Sequence, residues 1–307
     1  MRAPDNAALA VDVAILQTKP HKGRYRENLQ HVGEAFAQLG QGHVPDIVLL
    51  PEAAFTGYFL EGAVYELAMG ADAFAADLEA TWRDANPGKP VDIAAGFFEN
   101  CDGTYYNSAL YLTLDRVGAR TEHVHRKMFL PTYGVFDEAR FLSRGRRLQT
   151  FVTRFGTAAL LICEDVWHSI VPTVAALKGA RILVVPSAAP GRGIDEGAEL
   201  SSITRWREIL QAIAAEHGVY VLYANLAGFE GGKGFSGSSC ILDPLGRVVV
   251  QGPAVGECIV RAKIDLTEID RARAMFPLLG DLSAVLPDLL LDDELPLPRG
   301  SHDAASR

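Results

Sequence analysis

Short apolar runs alternate with longer amphipathic segments along most of this chain, and that alternation limits the folds available to it. Residues 11–16 (VDVAIL) have the length and composition of a buried strand, whereas residues 24–39 place apolar side chains at helical spacing. Strands interleaved with helices predict an α/β fold whose sheets are covered by helices. The same patterns predict further strands at residues 46–50, 91–98, 107–114, 120–126, 158–162, 181–185, 219–225, 238–242, 247–251 and 257–264, and further helices at residues 63–82, 171–178 and 202–217.

Two pairs of predicted strands are joined by short turn sequences, DRVG at residues 115–118 and DPLG at residues 243–246. Such hairpins pair antiparallel strands, so the sheets are predicted to be mixed. Two mixed sheets face to face would give a four-layer α-β-β-α sandwich, a layering that periodicity alone does not determine. We predict a single domain over residues 1–290 and a polar, disordered tail over residues 291–307.

Charge and cysteine usage disfavour several classes of function. The chain carries 29 basic and 38 acidic residues, a net charge of −9, so nucleic acid and anionic membranes are not expected as partners. The basic segment 140–147 (RFLSRGRR) is predicted to be a solvated loop or helix end rather than a phosphate site. Four widely separated cysteines suggest neither a zinc site nor a disulfide framework. Because no signal-peptide pattern and no apolar run of about 18 residues occurs, we expect a cytoplasmic protein.

Three predicted strands end in residues that can carry chemistry. The run DIVLL is followed, after one proline, by Glu52; the run HVHR is followed by Lys127; and the run AALLI is followed by Cys163. Because functional groups on open α/β sheets gather at the carboxyl ends of strands, we expect these three side chains to meet.

Cys163 could be a small core residue, as cysteines that follow buried strands often are. The acidic residues Glu164 and Asp165 come directly after it, and this favours a nucleophile because a core strand would not turn acidic at once. A sharp turn at this point would aim backbone N–H groups at the sulfur, as an oxyanion hole requires.

Glu52 and Lys127 also have ordinary alternatives, a capping or surface carboxylate and a solvated lysine. Beside Cys163, burial would raise the pKa of Glu52, which could then accept the thiol proton and return it to a leaving amine. The ammonium of Lys127 would favour the thiolate and stabilise an oxyanion. A Cys–His pair is the competing design; its candidates are His123, His125, His168 and His217, of which His168 is expected to be a pocket wall or local hydrogen-bonding residue.

Taken together, these segments resemble the nitrilase, or carbon–nitrogen hydrolase, superfamily. The matching stretches are LLPEAAFTGY around Glu52, HRKMFLPTYGVFDEARF around Lys127 and LLICEDVWH around Cys163, and the resemblance extends over residues 11–264. It implies the four-layer sandwich, a Glu–Lys–Cys triad at these positions, and a second glutamate, Glu138, that holds the lysine or orients the substrate. The alternative role for Glu138 is an acid at a helix N-terminus.

The resemblance also implies a reaction and a set of partners. A small amide would be cleaved to an acid and ammonia through a cysteine thioester, with no metal or organic cofactor, by a homodimer or higher homo-oligomer. Aromatic side chains near the three strand ends are predicted to be pocket walls, which would exclude water. The predicted substrate-binding residues are Tyr58, Tyr133, Glu164 (whose backbone N–H would hold the oxyanion), Trp167 and Ser187.

Within the superfamily, the sequences KMFLPTYGVFDEARF and ICEDVW are most similar to the glutaminase domain of glutamine-dependent NAD synthetase. No Gly-rich nucleotide loop follows the last predicted strand, so synthetase activity is not expected in this chain. Three alternatives to a free-standing amidase stay open: a glutaminase subunit that supplies ammonia to a separate synthetase, a nitrilase, and a catalytically silent scaffold of the same fold.

Overall fold

The structure, a computed structural model, describes residues 10–193 and 200–291. The predicted tail at residues 291–307 therefore lies outside the described residues, except for Leu291. In chain order the strands are β1 (Ala10–Gln17), β2 (Ile47–Leu49), β3 (Val91–Cys101), β4 (Thr104–Leu114), β5 (Ala119–Arg126), β6 (Phe151–Thr153), β7 (Gly156–Leu160), β8 (Ile182–Ser187), β9 (Tyr220–Asn225), β10 (Ala227–Glu230), β11 (Lys233–Ser236), β12 (Cys240–Leu242), β13 (Val248–Gln251) and β14 (Cys258–Asp265). The α-helices are α1 (Tyr25–Gly40), α2 (Val64–Leu67), α3 (Ala71–Ala85), α4 (Ile170–Leu177), α5 (Ser201–His217), α6 (Thr267–Met275) and α7 (Leu278–Leu290).

Two six-stranded sheets form the centre of the described chain. The first has the order β14-β1-β2-β3-β4-β5 and the second β13-β12-β9-β8-β7-β6. In each sheet three neighbouring strands run parallel, β1 to β3 in the first and β7 to β9 in the second, while the outer strands pair antiparallel. Both sheets are thus mixed, as the predicted hairpins required.

Alternation along the strands explains how the two sheets share one core. In β1, Val11, Val13 and Ile15 join the apolar cluster that also holds the strands of the second sheet. Ala14 and Leu16 face the other way and pack in the cluster with α1 and α3. A strand that is apolar on both faces can be covered on both faces, so the sheets stack face to face.

Helices form the two outer layers. On the first sheet, Phe36 of α1 and Trp82 of α3 meet edge to face with ring centroids 5.1 Å apart. On the second sheet, α4 and α5 bury Ala175 and Leu210 in the cluster that lies between the sheets and extends to these helices. The predicted four-layer α-β-β-α sandwich is therefore confirmed.

The predicted helix over residues 63–82 is wrong, because two helices, α2 and α3, occupy this span. Between them the backbone of Gly70 is extended, and Met69 pairs with Glu99 at the end of β3. The N–H of Met69 donates to the carbonyl of Phe98, and the carbonyl of Met69 accepts from Asn100. Pairing with a strand edge requires extended backbone, so tertiary contacts override the local helical preference of this Ala-rich segment.

The structure also contains elements that the sequence patterns did not predict. The Gly-rich segment around residues 229–235 forms a hairpin of β10 and β11, and α6 and α7 follow the last strand. The two predicted hairpins, across residues 115–118 and 243–246, are confirmed. None of the helices in the described ranges is both long enough and apolar enough to cross a bilayer.

Candidate active site

Glu52 lies just beyond the carboxyl end of β2, in a tightly constrained turn. The next residue, Ala53, has φ +53°, in the left-handed region that L-residues seldom adopt. Gly96 of β3 passes so close that a Cβ atom on it would lie 2.6 Å from the Cα of Glu52. Only glycine permits this approach, which fixes the backbone of Glu52 against the sheet.

Lys127 follows β5 and is held by backbone hydrogen bonds on both sides. Its N–H donates to the carbonyl of Asn107 at 2.8 Å, and its carbonyl accepts from the N–H of Gly145 at 2.7 Å. The side chain is fully buried, which is rare for lysine unless the charge is paired.

The ammonium of Lys127 is paired with two carboxylates in what we call the carboxylate–lysine cluster. Its Nζ donates to Oε1 of Glu52 and to Oε1 of Glu138, both at 2.8 Å. The amide of Asn107 donates to the same two oxygens, at 2.6 Å and 3.2 Å, and the hydroxyl of Tyr58 donates to Glu138. Two acids and one ammonium are thus concentrated at one end of the first sheet.

Burial and charge shift the pKa values in this cluster. Burial alone would lower the pKa of Lys127, but Glu138 and Glu52 outweigh it and hold that pKa well above its usual value. Burial raises the pKa of Glu138 to about 7, against the opposing effect of Lys127. The Oε2 atoms of both glutamates have no hydrogen-bond partner among the described residues, so each retains a free acceptor.

Cys163 comes from the other sheet, just beyond β7, and opens a short 3₁₀ turn, Cys163–Trp167. Its φ of +45° is a strained value for a residue with a Cβ atom, of the kind that often marks a functional position. The hydroxyl of Ser187 donates to Sγ at 3.2 Å, and the backbone N–H of Ala188 also donates to the sulfur.

The thiol and the cluster are close enough for their charges to interact. Burial and then the charge of Glu52 raise the pKa of the Cys163 thiol well above its usual value. Lys127 and the hydrogen bonds from Ser187 and Ala188 act in the opposite direction without cancelling this rise. Cys163 at neutral pH is therefore a protonated thiol that has a carboxylate nearby.

A cleft of about 170 Å³ leads to Cys163, which is itself only 6% exposed. Its walls combine aromatic rings with one acidic and one basic side chain, Glu164 and Arg192. The hydroxyl of Tyr133 lies 3.0 Å from both carboxylate oxygens of Glu164, and Trp167 packs edge to face on Trp206. The residues that line the cleft are Tyr133, Phe136, Cys163, Glu164, Trp167, Ala189, Pro190, Arg192, Ser202 and Trp206.

The predicted site residues thus fall into three groups. Glu52, Lys127 and Glu138 form the cluster, and Tyr133, Glu164 and Trp167 line the cleft. Tyr58 and Ser187 were predicted to contact substrate. Tyr58 bonds Glu138 and lines a neighbouring cavity of about 260 Å³, and Ser187 contacts the sulfur; their contact with substrate stays a prediction.

The four candidate histidines bond or stack elsewhere, and among the described residues none hydrogen-bonds Cys163. The histidine contacts are His123 on the ring of Phe151, His125 with Asp165, His168 on the ring of Phe129, and His217 with Thr173.

The segment 140–147 has exposed arginines and no regular helix after its first residue, as expected of a solvated loop.

Sequence patterns missed two residues of this site. Asn107 bridges both glutamates from within β4, where a buried polar residue inside an apolar strand was the available signal. Arg192 follows β8 in a Gly-containing loop, and its guanidinium lies 5.0 Å from the ring centre of Phe136. Only the fold brings that loop to Cys163.

The fold and this arrangement define the class of protein: it is a nitrilase-superfamily sandwich with a buried cysteine at the carboxyl ends of its strands. The family model for carbon-nitrogen hydrolases matches residues 12–274, and the chain belongs to that family.

Individual relatives support the same assignment. The chain is 31% identical over 255 residues to a glutamine-dependent NAD(+) synthetase of Rhodobacter capsulatus, covering 82% of this chain and 43% of that protein. It therefore spans less than half of that relative. It is 28% identical over 210 residues to an N-carbamoylputrescine amidase of Arabidopsis thaliana, covering 66% of this chain and 69% of the relative. A carbon-nitrogen hydrolase structure from Helicobacter pylori G27 matches with a TM-score of 0.80 and 26% identity, covering 92% of this chain and 98% of the other.

Proposed function

We propose that this protein is an amidase that hydrolyses the C–N bond of a small amide to an acid and ammonia through a thioester on Cys163. The observation that carries the proposal is the meeting of a buried thiol from one sheet with a carboxylate and an ammonium from the other. The cleft of about 170 Å³ is smaller than the roughly 300 Å³ at which drug-sized ligand pockets begin, and this favours a small substrate.

Attack begins from the protonated thiol. Because the negative charge of Glu52 opposes a resting thiolate, the proton has to leave as the sulfur approaches the amide carbon. Glu52 is the acceptor we assign, since its Oε2 has no hydrogen-bond partner among the described residues. General-base transfer of this kind creates the thiolate only when a substrate is present to use it.

The carbonyl oxygen becomes negative as the C–S bond forms. Lys127, fixed by Glu52 and Glu138, and the backbone N–H of Glu164, next to the nucleophile, are the donors that we assign to this oxyanion. Collapse of the tetrahedral species breaks the C–N bond, and the amine takes the proton held by Glu52. Ammonia leaves and the acyl group remains on the sulfur.

Hydrolysis of the thioester repeats these roles with water. Glu52 removes a proton from the water, whose oxygen attacks the acyl carbon, and the same donors hold the second oxyanion. Breaking the C–S bond returns the proton to the sulfur and releases the acid. The proton transfers by Glu52 and the oxyanion contacts of Lys127 and the Glu164 backbone N–H are thus used twice in each turnover.

A second candidate is glutaminase activity, in which the ammonia would serve a separate synthetase. It is favoured by the pair Glu164 and Arg192 on the cleft walls, since a carboxylate and a guanidinium suit the ammonium and carboxylate of an α-amino acid. The similarity to part of the NAD(+) synthetase of Rhodobacter capsulatus agrees with this candidate. A homo-oligomeric state and a cytoplasmic location stay predictions.

The test is an ammonia-release screen with glutamine, asparagine, simple aliphatic amides, carbamoyl compounds and nitriles, combined with intact-mass detection of an acyl adduct. We expect turnover with at least one amide and an adduct on Cys163. The Cys163→Ala variant should fold normally by circular dichroism and release no ammonia. Near-normal turnover in that variant would remove the nucleophile assignment, and a preference for glutamine over simple aliphatic amides would select the second candidate.

A further inference from the structure

Asp165 is a fully buried carboxylate two residues after the nucleophile, and the mechanism above does not use it. Its Oδ1 accepts the backbone N–H groups of Met128 at 2.9 Å and Phe129 at 3.1 Å. Its Oδ2 accepts the N–H of Ile162 at 3.0 Å and contacts Nε2 of His125 at 2.9 Å. Both oxygens are therefore fully used, and no part of the side chain faces the cleft.

These partners connect the two sheets at the site. Met128 directly follows Lys127, which comes from the first sheet, and Ile162 directly precedes Cys163, which comes from the second. One carboxylate thus ties the chain beside the ammonium to the chain beside the sulfur. The backbone of Lys127 itself bonds within its own sheet and the following loop, to Asn107 and Gly145.

His125 completes the arrangement as a donor through Nε2. Its Nδ1 is buried without a hydrogen-bond partner among the described residues, so a second ring proton would be buried unpaired. The ring therefore carries its proton on Nε2 and donates it to Asp165. Four donors thus surround the carboxylate, and they compensate for the removal of its charge from water.

We propose that Asp165 is a positioning residue that sets the distance between Lys127 and Cys163 during the reaction. This proposal rests on the proposed function, because that distance matters only if the ammonium acts on the reacting atoms. Asp165 touches no substrate, so its loss should lower kcat and leave KM nearly unchanged. Displacements of about 1 Å at a catalytic group can lower the rate about a hundredfold.

The experiment uses the Asp165→Asn variant of the full chain. Asparagine has one carbonyl oxygen and one NH₂ group. The two donors that bond one oxygen of Asp165 would therefore face the NH₂ group, which cannot accept their hydrogen bonds. We expect kcat to fall between tenfold and a hundredfold with KM within about threefold. Amide hydrogen exchange in peptides that cover Met128, Phe129 and Ile162 should be faster than in the wild-type protein.

Asp92→Asn is the matched control. Asp92 is equally buried, also has both oxygens bonded, and also connects the two sheets through Arg154, but at the opposite ends of the strands. We expect a similar loss of thermal stability with kcat unchanged. Equal kcat values in the two variants, or a change confined to KM, would overturn the positioning role.

Two further measurements test the proposal without a known substrate and in case the Asp165→Asn variant does not fold. In Asp165→Asn, alkylation of Cys163 by iodoacetamide should need a higher pH than in the wild type, because a displaced Lys127 lowers the thiol pKa less. This measurement does not need an amide substrate. Unchanged hydrogen exchange together with unchanged alkylation would refute the positioning role without refuting the proposed function. If Asp165→Asn does not fold, His125→Leu decides: a severalfold lower kcat or faster exchange at these amides supports the role, and wild-type values of both overturn it.

Discussion

Similar ion pairs are buried at the two ends of the sandwich, but they serve different purposes. At the amino ends of the strands, Asp92 of β3 pairs with Arg154 from the turn between β6 and β7, at 2.9 Å. At the carboxyl ends, Glu52 and Glu138 pair with Lys127. In both groups of residues a carboxylate is removed from water and is paired with a cation instead. Both groups lie where the two sheets meet.

The difference lies in what remains unpaired. Asp92 uses one oxygen for Arg154 and the other for the hydroxyl of Tyr111, and the arginine is 36% exposed, so part of its charge remains hydrated. In the carboxylate–lysine cluster the cation is fully buried, acid outnumbers base, and one oxygen of each glutamate has no partner in the part of the chain that the structure describes. A saturated pair serves the fold, whereas a pair with spare acceptors can accept a proton or bind a substrate.

The sharpest way to break this comparison is to neutralise one carboxylate at each end. Glu52→Gln keeps an oxygen for Lys127 and Asn107 but cannot accept the thiol proton, so acylation should slow by roughly a thousandfold. Asp92→Asn should change kcat by less than about threefold while it lowers the melting temperature. Rapid-quench measurement of the first turnover checks both, and a burst of ammonia from Glu52→Gln would contradict the general-base role.

The next test removes the cation at each end. Lys127→Met should lower kcat by roughly a hundredfold or more, as loss of an oxyanion donor typically does. It should also destabilise the fold, because two buried carboxylates would lose their counterion. Arg154→Met is the control and should affect stability only. Rates are compared at a temperature where circular dichroism finds all variants folded; a Lys127→Met rate within about threefold of wild type would make the lysine merely structural.

The smallest expected effect is a pH dependence of stability from Glu138. Its pKa rises from 4.5 in the unfolded chain to about 7 in the fold, so between these values the folded state binds more protons. The unfolding free energy should therefore decrease as pH rises through this window, by about 3 kcal/mol in total. Urea unfolding should reveal this slope in the wild type and in Asp137→Asn, a neighbouring exposed acid, but not in Glu138→Gln. A slope that survives in Glu138→Gln would assign the proton to another group.

The strand-end rule explains why so much of the site could be predicted from the sequence. Glu52, Lys127 and Cys163 each lie just beyond the end of a predicted strand, and parallel strands bring their carboxyl ends to one edge. Asn107 lies within a strand, and which side chain of β4 reaches that edge depends on the register with β3 and β5. Register is a property of the assembled sheet, so the local pattern could not supply it.

The wrong and missing elements have the same origin. The break between α2 and α3 arises because residues near Gly70 pair with the end of β3, a contact that no helical pattern encodes. The hydrogen bond between the hydroxyl of Tyr58 and Glu138 also depends on the fold, because the position of Tyr58 near Glu52 in sequence does not determine it. Helix α7, which the sequence patterns did not predict, has no buried residue in the described chain.

The division of the site between the two sheets has a consequence for how the protein is made. The strands synthesised earlier supply Glu52 and Lys127, whereas the thiol and its partner Ser187 come from strands synthesised later. The first sheet is itself completed only when β14, near the end of the described chain, pairs with β1. We therefore expect that a growing chain is inactive until β14 has been synthesised, and that it cannot acylate its own cysteine before then.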